Sequence, residues 1–213
     1  MTEPNVKRID SGEPAQALID QAVRVLEDGG LVVAPTETRY GLLARADQAG
    51  PLQKVYRLKK RSTELPTAVF VGSIELMIHY ANLNPIAQRL ARLFLPGPLT
   101  LVLPAIGTYP DVVVTEDRIG LRVSSSPVIQ KIIQCVGFPV SATSANISGE
   151  VTSGRCEEIA EIFGDEINLY LDAGRLAGQT STVVDCCGPE PVVLRTGAIS
   201  AADIEVAVKG VTK

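Results

Sequence analysis

The chain has 213 residues, of which 46% are hydrophobic and 4% aromatic, with no tryptophan and a formal net charge of -4 at pH 7. That length and apolar content support one sizeable α/β domain with an aliphatic core and exclude an intrinsically disordered chain. The mild acidity argues against bulk electrostatic binding of nucleic acid, and the scarcity of aromatic residues argues against a base-stacking platform, although Arg57, Lys59, Lys60 and Arg61 form a local basic cluster.

The first residues, Met1 to Asn5, are polar with no apolar run behind them, and no stretch reaches the ~18 apolar residues of a membrane span, so a soluble cytoplasmic protein is expected. Leu18, Ala22, Val25 and Leu26 recur at helical spacing, and Gly29-Gly30 stops that helix. Residues 31–34 then read as a buried strand ending at Pro35. Leu52, Val55, Tyr56 and Leu58 predict a second helix carrying Lys59 and Arg61 near its C-terminal end, followed by a short strand at 68–71. Asn84-Pro85 opens a helix through Phe94, which Leu95-Pro96-Gly97-Pro98 breaks. Strands are predicted at 99–103, 119–123, 139–142, 168–171, 182–186 and 192–194, and helices at 127–136, 155–163 and 200–208, the last with Ser200 and Asp203 as a capping box. This alternation predicts an α/β fold, and the successive strands near the C-terminus predict a mixed sheet. With no linker-like stretch, one domain over 1–213 is expected, its core about 15–200.

Four polar strings stand out, each at the end of an apolar or amphipathic run or, in the last case, opening one: residues 35–42 (Pro-Thr-Glu-Thr-Arg-Tyr-Gly-Leu), 59–61 (Lys-Lys-Arg), 144–149 (Ser-Ala-Asn-Ile-Ser-Gly) and 181–185 (Ser-Thr-Val-Val-Asp). Hydroxyls, an amide and paired cations are the groups that hold an anionic, polyhydroxylated ligand such as a nucleotide. General bases are scarce. The one histidine, His79, lies in an apolar helical stretch and reads as a packed or rim residue. Cys135, Cys156, Cys186 and Cys187 form no C-x-x-C pair, which excludes a zinc constellation and suits a reducing compartment. A Walker A loop and G-x-G-x-x-G are both absent. What remains open is chemistry that needs positioning and charge neutralisation, of which nucleotidyl transfer is an example. Lys59 and Arg61 suit a triphosphate; equally, they suit a solvated helix end. Thr36, Thr38, Ser144, Asn146 and Ser181 each read as a cap or turn alone, but together they recur after several strands, where open α/β sheets bind ligands.

At these residues the chain resembles the YrdC/Sua5 family, the L-threonylcarbamoyladenylate synthases. The matching strings are 35–42, Lys59-x-Arg61, 95–103 (Leu-Pro-Gly-Pro-Leu-Thr-Leu-Val-Leu), 120–123 (Gly-Leu-Arg-Val), 144–149, 181–185 and Leu194-Arg195-x-Gly197, in the family's order. The resemblance implies a twisted open mixed sheet with flanking helices and a concave, locally positive ligand-binding face. It implies condensation of L-threonine, bicarbonate and ATP to threonylcarbamoyl-AMP and pyrophosphate, with Mg²⁺ as the metal and no ligands assigned to it. The product would serve a downstream tRNA threonylcarbamoyltransferase making N6-threonylcarbamoyladenosine at tRNA position 37. Thr36, Arg122 and Ser181 would face threonine and its carbamate. Lys59 and Arg61 would hold the triphosphate as catalytic residues, and Ser144, Asn146 and Arg195 would bind the nucleotide. The chain looks like the short, single-domain form. It departs from the family at Lys60, Ser62 and Thr63, at Thr67, at Phe70, at Ser124 to Ser126 and at Thr196. Two alternatives stay open: a double-stranded RNA-binding or ribosome-assembly factor using the same face, and a YciO-like paralogue with another substrate. RNA contact is expected to be weak, salt-sensitive and confined to the face carrying residues 57–61.

Overall fold

The computed structural model describes residues 3–209. In chain order the elements are β1 (Val6–Arg8), α1 (Gln16–Glu27), β2 (Val32–Pro35), β3 (Tyr40–Leu43), α2 (Ala49–Leu58), β4 (Ala68–Phe70), α3 (Pro85–Phe94), β5 (Leu99–Pro104), β6 (Val114–Thr115), β7 (Arg118–Arg122), α4 (Pro127–Cys135), β8 (Val140–Ser144), α5 (Cys156–Phe163), β9 (Leu169–Asp172), β10 (Thr182–Asp185), β11 (Val192–Arg195) and α6 (Ala201–Val208). Local chemistry accounts for the helix ends. Asn84 accepts the Ala87 amide at the start of α3, Gly29 stops α1 with φ 72°, and Ser200 with Asp203 forms the expected capping box on α6.

The strands form one mixed sheet in the order β1-β9-β2-β3-β8-β4-β7-β5-β10-β11, with β6 beside β7. The α/β class and the open mixed sheet are as expected. Three strands were not: β1, of three exposed residues, and β6, of two half-buried ones, are too short to leave a pattern, and β3 was hidden in the string 35–42. Residues 36–39 are a turn, and Tyr40 to Leu43 run back antiparallel to β2. His79 ends an exposed 3-10 helix, Glu75–His79, so it is a rim residue.

The sheet is covered differently in its two halves. Around β2, β3 and β9 both faces are buried. Val32, Ala34, Leu43, Leu169 and Leu171 pack on α1 and α4, while Val33, Tyr40, Leu42 and Tyr170 pack on α5. Strands buried on both faces read as continuous apolar runs, as residues 31–34 do. Around β4, β7, β5 and β10 the apolar core lies mainly on one face, with Phe70 packed on the other. There Val69, Leu121, Leu99, Leu101, Leu103 and Val184 join a core built on α3 and α6. Because side chains alternate along a strand, the intervening residues face the other way and leave that face open.

A nine-residue connection, residues 173–181, joins β9 to β10, which six strands separate in the sheet. In a flat sheet those strands would lie about 34 Å apart, close to the ~36 Å such a connection can reach. The connection is therefore a strap, and the sheet curls toward it.

Candidate active site

The uncovered face supplies the floor of a cleft. Ala68 and Phe70 of β4, Gly120 and Arg122 of β7, Thr100 and Val102 of β5, and Ser181 and Val183 at β10 point into a cavity of about 400 Å³. A Cβ at Gly120 would press on Ala68 Cβ at 3.0 Å, so glycine keeps that floor flat. A second cavity of about 350 Å³ adjoins it, lined by Lys59, Asn146, Ser148 and the loop that follows. Arg39, Arg61, Ser144, Thr180 and Arg195 border both. They form a neck between two compartments.

The turn 36–39 folds into the first compartment. Thr36 Oγ1 donates to Arg39 O at 2.6 Å and accepts the amides of Thr38 and Arg39, so its hydroxyl builds the turn. The turn carries Glu37 to Arg122: Nη2 of Arg122 donates to Glu37 Oε1 at 2.8 Å and to Thr38 Oγ1 at 3.0 Å. Ser124 Oγ donates to the other carboxylate oxygen of Glu37. Arg122 is 6% exposed, and its Nε is one of two buried side-chain polar atoms without a partner among the described residues, the other being Thr67 Oγ1. Buried polar atoms are normally satisfied, so this unpaired N–H is an exception among the residues that line the cleft.

Lys59 is not a solvated helix end. It caps the C-terminus of α2, is 1% exposed, and its ammonium donates to Ser144 O, to Asn146 O at 2.8 Å and to Asn146 Oδ1 at 2.9 Å. The three protons of the ammonium are thereby used. Ser148 N donates to Lys59 O at 2.7 Å, and Ser144 Oγ to Asn146 Oδ1 at 2.6 Å, so the loop 144–150 closes on the end of α2. Burial, and then the Arg61 charge, push the Lys59 ammonium down to about 7. This corrects one expectation, the solvated helix end: Lys59 is buried, with its charge bonded to the loop at the edge of the second cavity.

Arg61 borders both compartments, with Nε on Leu65 O at 3.0 Å and Nη2 on Pro66 O at 2.9 Å. Arg195 turns its guanidinium onto Ser181, donating to Ser181 O through Nε and Nη2 at 3.1 and 2.9 Å and to Ser181 Oγ at 3.0 Å. Burial lowers the Arg195 pKa from the ordinary arginine value, and the charges of Arg122 and Arg61 lower it further. The basic cluster does not present one face as expected: Arg57 pairs with Glu166 at 2.7 Å, Lys59 is buried against the loop 144–150, Lys60 is exposed, and Arg61 faces the cleft.

The strap forms a wall of the cleft. Tyr40 donates its hydroxyl proton to Gly174 O at 2.6 Å and accepts the Ala173 amide at 3.0 Å. Gly178 lies so close to the turn 36–39 that an added Cβ would collide with the Thr38 carbonyl and approach Thr38 Cα to 3.0 Å.

Thr36, Lys59, Arg61, Arg122, Ser144, Asn146, Ser181 and Arg195, drawn from segments spread over the chain, all line these two cavities. Sequence reasoning passed over Glu37, which holds Arg122, and Arg39 and Thr180, which stand at the neck. Glu37 and Arg39 lie inside the quoted string 35–42, and Thr180 precedes the string 181–185. Among the described residues no group of three or more His, Cys, Asp or Glu is placed to hold a metal ion, and no helix is long and apolar enough to cross a membrane.

Comparisons with known proteins agree with this architecture. Threonylcarbamoyl-AMP synthase of Pyrococcus abyssi is 35% identical over 86% of this chain, which spans 55% of that relative's length. The crystal structure of P. abyssi Sua5 complexed with L-threonine superposes with a TM-score of 0.90 at 31% identity, over 96% of this chain and 61% of that one. The crystal structure of Escherichia coli YciO gives 0.87 at 25% identity, over 94% of this chain and 98% of that one. The family model Sua5/YciO/YrdC, described as telomere recombination, matches residues 24–197, and the chain belongs to that family.

Proposed function

We propose that the protein is an L-threonylcarbamoyladenylate synthase that uses L-threonine, bicarbonate and ATP. The observation that carries this reading is the pair of adjoining compartments joined by a cationic neck. One has a buried guanidinium with an unpaired N–H, suited to an amino-acid carboxylate or a carbamate. The other is shaped by the loop 144–150, suited to a nucleoside. A relative's structure with L-threonine supports the amino acid. The amine of threonine and bicarbonate give the N-carboxylate and water. The carboxylate oxygen then attacks the α-phosphate of ATP, and pyrophosphate leaves. Arg122, Thr36 and Ser181 belong to the amino-acid side, with Thr36 acting through the turn it builds. Arg61 and Arg195 lie where charge gathers on the leaving group, and preorganised donors there lower the barrier. Ser144 and Asn146 shape the nucleoside compartment, and Lys59 holds them.

Mg²⁺ carried on the triphosphate would neutralise charge there, held by phosphate oxygens and water, since no carboxylate borders both compartments. The product suits a downstream tRNA threonylcarbamoyltransferase. Direct tRNA contact is weak in this reading, because the net charge is -4 and, within the basic cluster, Arg57 is paired with Glu166 and Lys59 is buried.

The test is incubation with ATP, bicarbonate and L-threonine, following pyrophosphate and the adenylate. Release must require both threonine and bicarbonate. Equal release without threonine would assign the chain to a paralogue acting on another compound.

A further inference from the structure

The five residues that border both compartments include three arginines and no carboxylate. The arginines differ in how far the protein already satisfies them. Arg61 is bonded to two backbone carbonyls and Arg195 to Ser181. Arg39 projects from the turn 36–39, half-buried, and its side chain makes no hydrogen bond or ion pair with any described residue. All five of its N–H donors are free. The acids of the cleft do not answer it, because Glu37 is bound to Arg122 and Ser124, and Asp185 to Arg118 at 2.9 Å. Glu116 and Glu150 each line only one of the two cavities, away from the shared neck. Lys59 does not serve the neck either, since its protons are held by the loop 144–150.

We propose that Arg39 is a further phosphate-binding residue, which with Arg61 and Arg195 makes the neck a site for a diphosphate-class anion: the β- and γ-phosphates of ATP and the pyrophosphate they become. This rests on the reading that a nucleotide occupies the cleft. A guanidinium offers two parallel N–H groups to a phosphate. Three such groups from separate segments, Arg39 from the β2–β3 turn, Arg61 after α2 and Arg195 from β11, surround an anion carrying several charges. The α-phosphate of a monophosphate gains little there. Arg39 therefore sets the preference for ATP over AMP.

The test is calorimetric titration of ATP, AMP and inorganic pyrophosphate into the wild-type protein, Arg39→Ala and Arg39→Lys, with thermal melting as the control for folding. Loss of a charged hydrogen-bonding partner is expected to weaken ATP and pyrophosphate about 10–100-fold in Arg39→Ala, leave AMP within about twofold, and be partly restored in Arg39→Lys. If Arg39→Ala does not fold, Arg39→Gln replaces it on the same scale. Unchanged ATP and pyrophosphate affinities, or equal weakening of all three ligands, overturn the assignment. A wild-type protein that binds neither ATP nor pyrophosphate overturns it together with the nucleotide reading. Selective loss in Arg39→Ala, in a protein that nevertheless shows no threonine-dependent pyrophosphate release, upholds Arg39 and fails only the amino-acid reading.

Discussion

Lys59→Met tests whether a buried ammonium organises the loop 144–150. An unfolded lysine titrates near 10.4, and burial with the Arg61 charge pushes Lys59 down to about 7. Between those values the unfolded chain binds the extra proton, so the unfolding free energy rises with pH across that window. At about 1.36 kcal/mol per pH unit, and less as the folded pKa is approached, the rise from pH 7 to pH 9 reaches about 2 kcal/mol. That is a ceiling, because Ser144 O, Asn146 O and Asn146 Oδ1 favour the charged form. Lys59→Met lacks the titrating group, and every other group cancels in the comparison. Urea unfolding at pH 7 and pH 9 is expected to show the wild-type protein gaining stability relative to the variant. Hydrogen exchange in residues 144–150 should be faster in the variant at pH 7, since two loop carbonyls lose their donor. Identical pH dependence in the two proteins, with unchanged exchange, would refute the argument.

Arg61→Ala is expected to lower adenylate formation about 10²–10³-fold, as loss of one preorganised donor does elsewhere, while its two exposed carbonyl bonds contribute about 1 kcal/mol or less to stability; near-normal turnover would remove Arg61 from the leaving-group site. Glu37→Gln leaves the Arg122 guanidinium buried without its counter-ion, and urea unfolding at pH 7 should register a loss of about 3–5 kcal/mol; unchanged stability would mean that water already screens the pair. Gly178→Ala must push the strap off the turn 36–39, so both the melting temperature and threonine-dependent pyrophosphate release should fall; a variant normal in both would show that the strap does not set the turn.

Much of the fold could be read from spacing. Leu99, Leu101 and Leu103 alternate with Thr100 and Val102, which announces a strand with one buried face, and the structure places the first set in the core and the second on the cleft floor. The string 35–42 was informative about chemistry and misleading about shape. Its polar half is a turn and its apolar half a strand, and four residues of mixed character do not separate the two. Lys59 shows a different limit. A lysine after a helix has the same local pattern whether it meets water or a loop, and the loop that buries Lys59 begins 85 residues later. The residues that line the cleft were legible because they lie in compact strings beside apolar runs. Their partnerships were not: the curl of the sheet brings Glu37 to Arg122, and the antiparallel pairing of β10 with β11 brings Arg195 beside Ser181.

The strand order has a consequence for how the chain is made. β9 lies between β1 and β2, and β8 between β3 and β4, so strands made late are inserted between strands made early. As the N-terminal part leaves the ribosome, β1 has no neighbour to pair with until residues 170–172 follow, and β5 lacks its outer partner until residues 182–185 arrive. During translation the emerging protein must keep unpaired strand edges and an unfinished apolar core from associating with other chains. The sheet closes only once residues 169–185 have been made, so products terminated before them are more prone to aggregate than to fold.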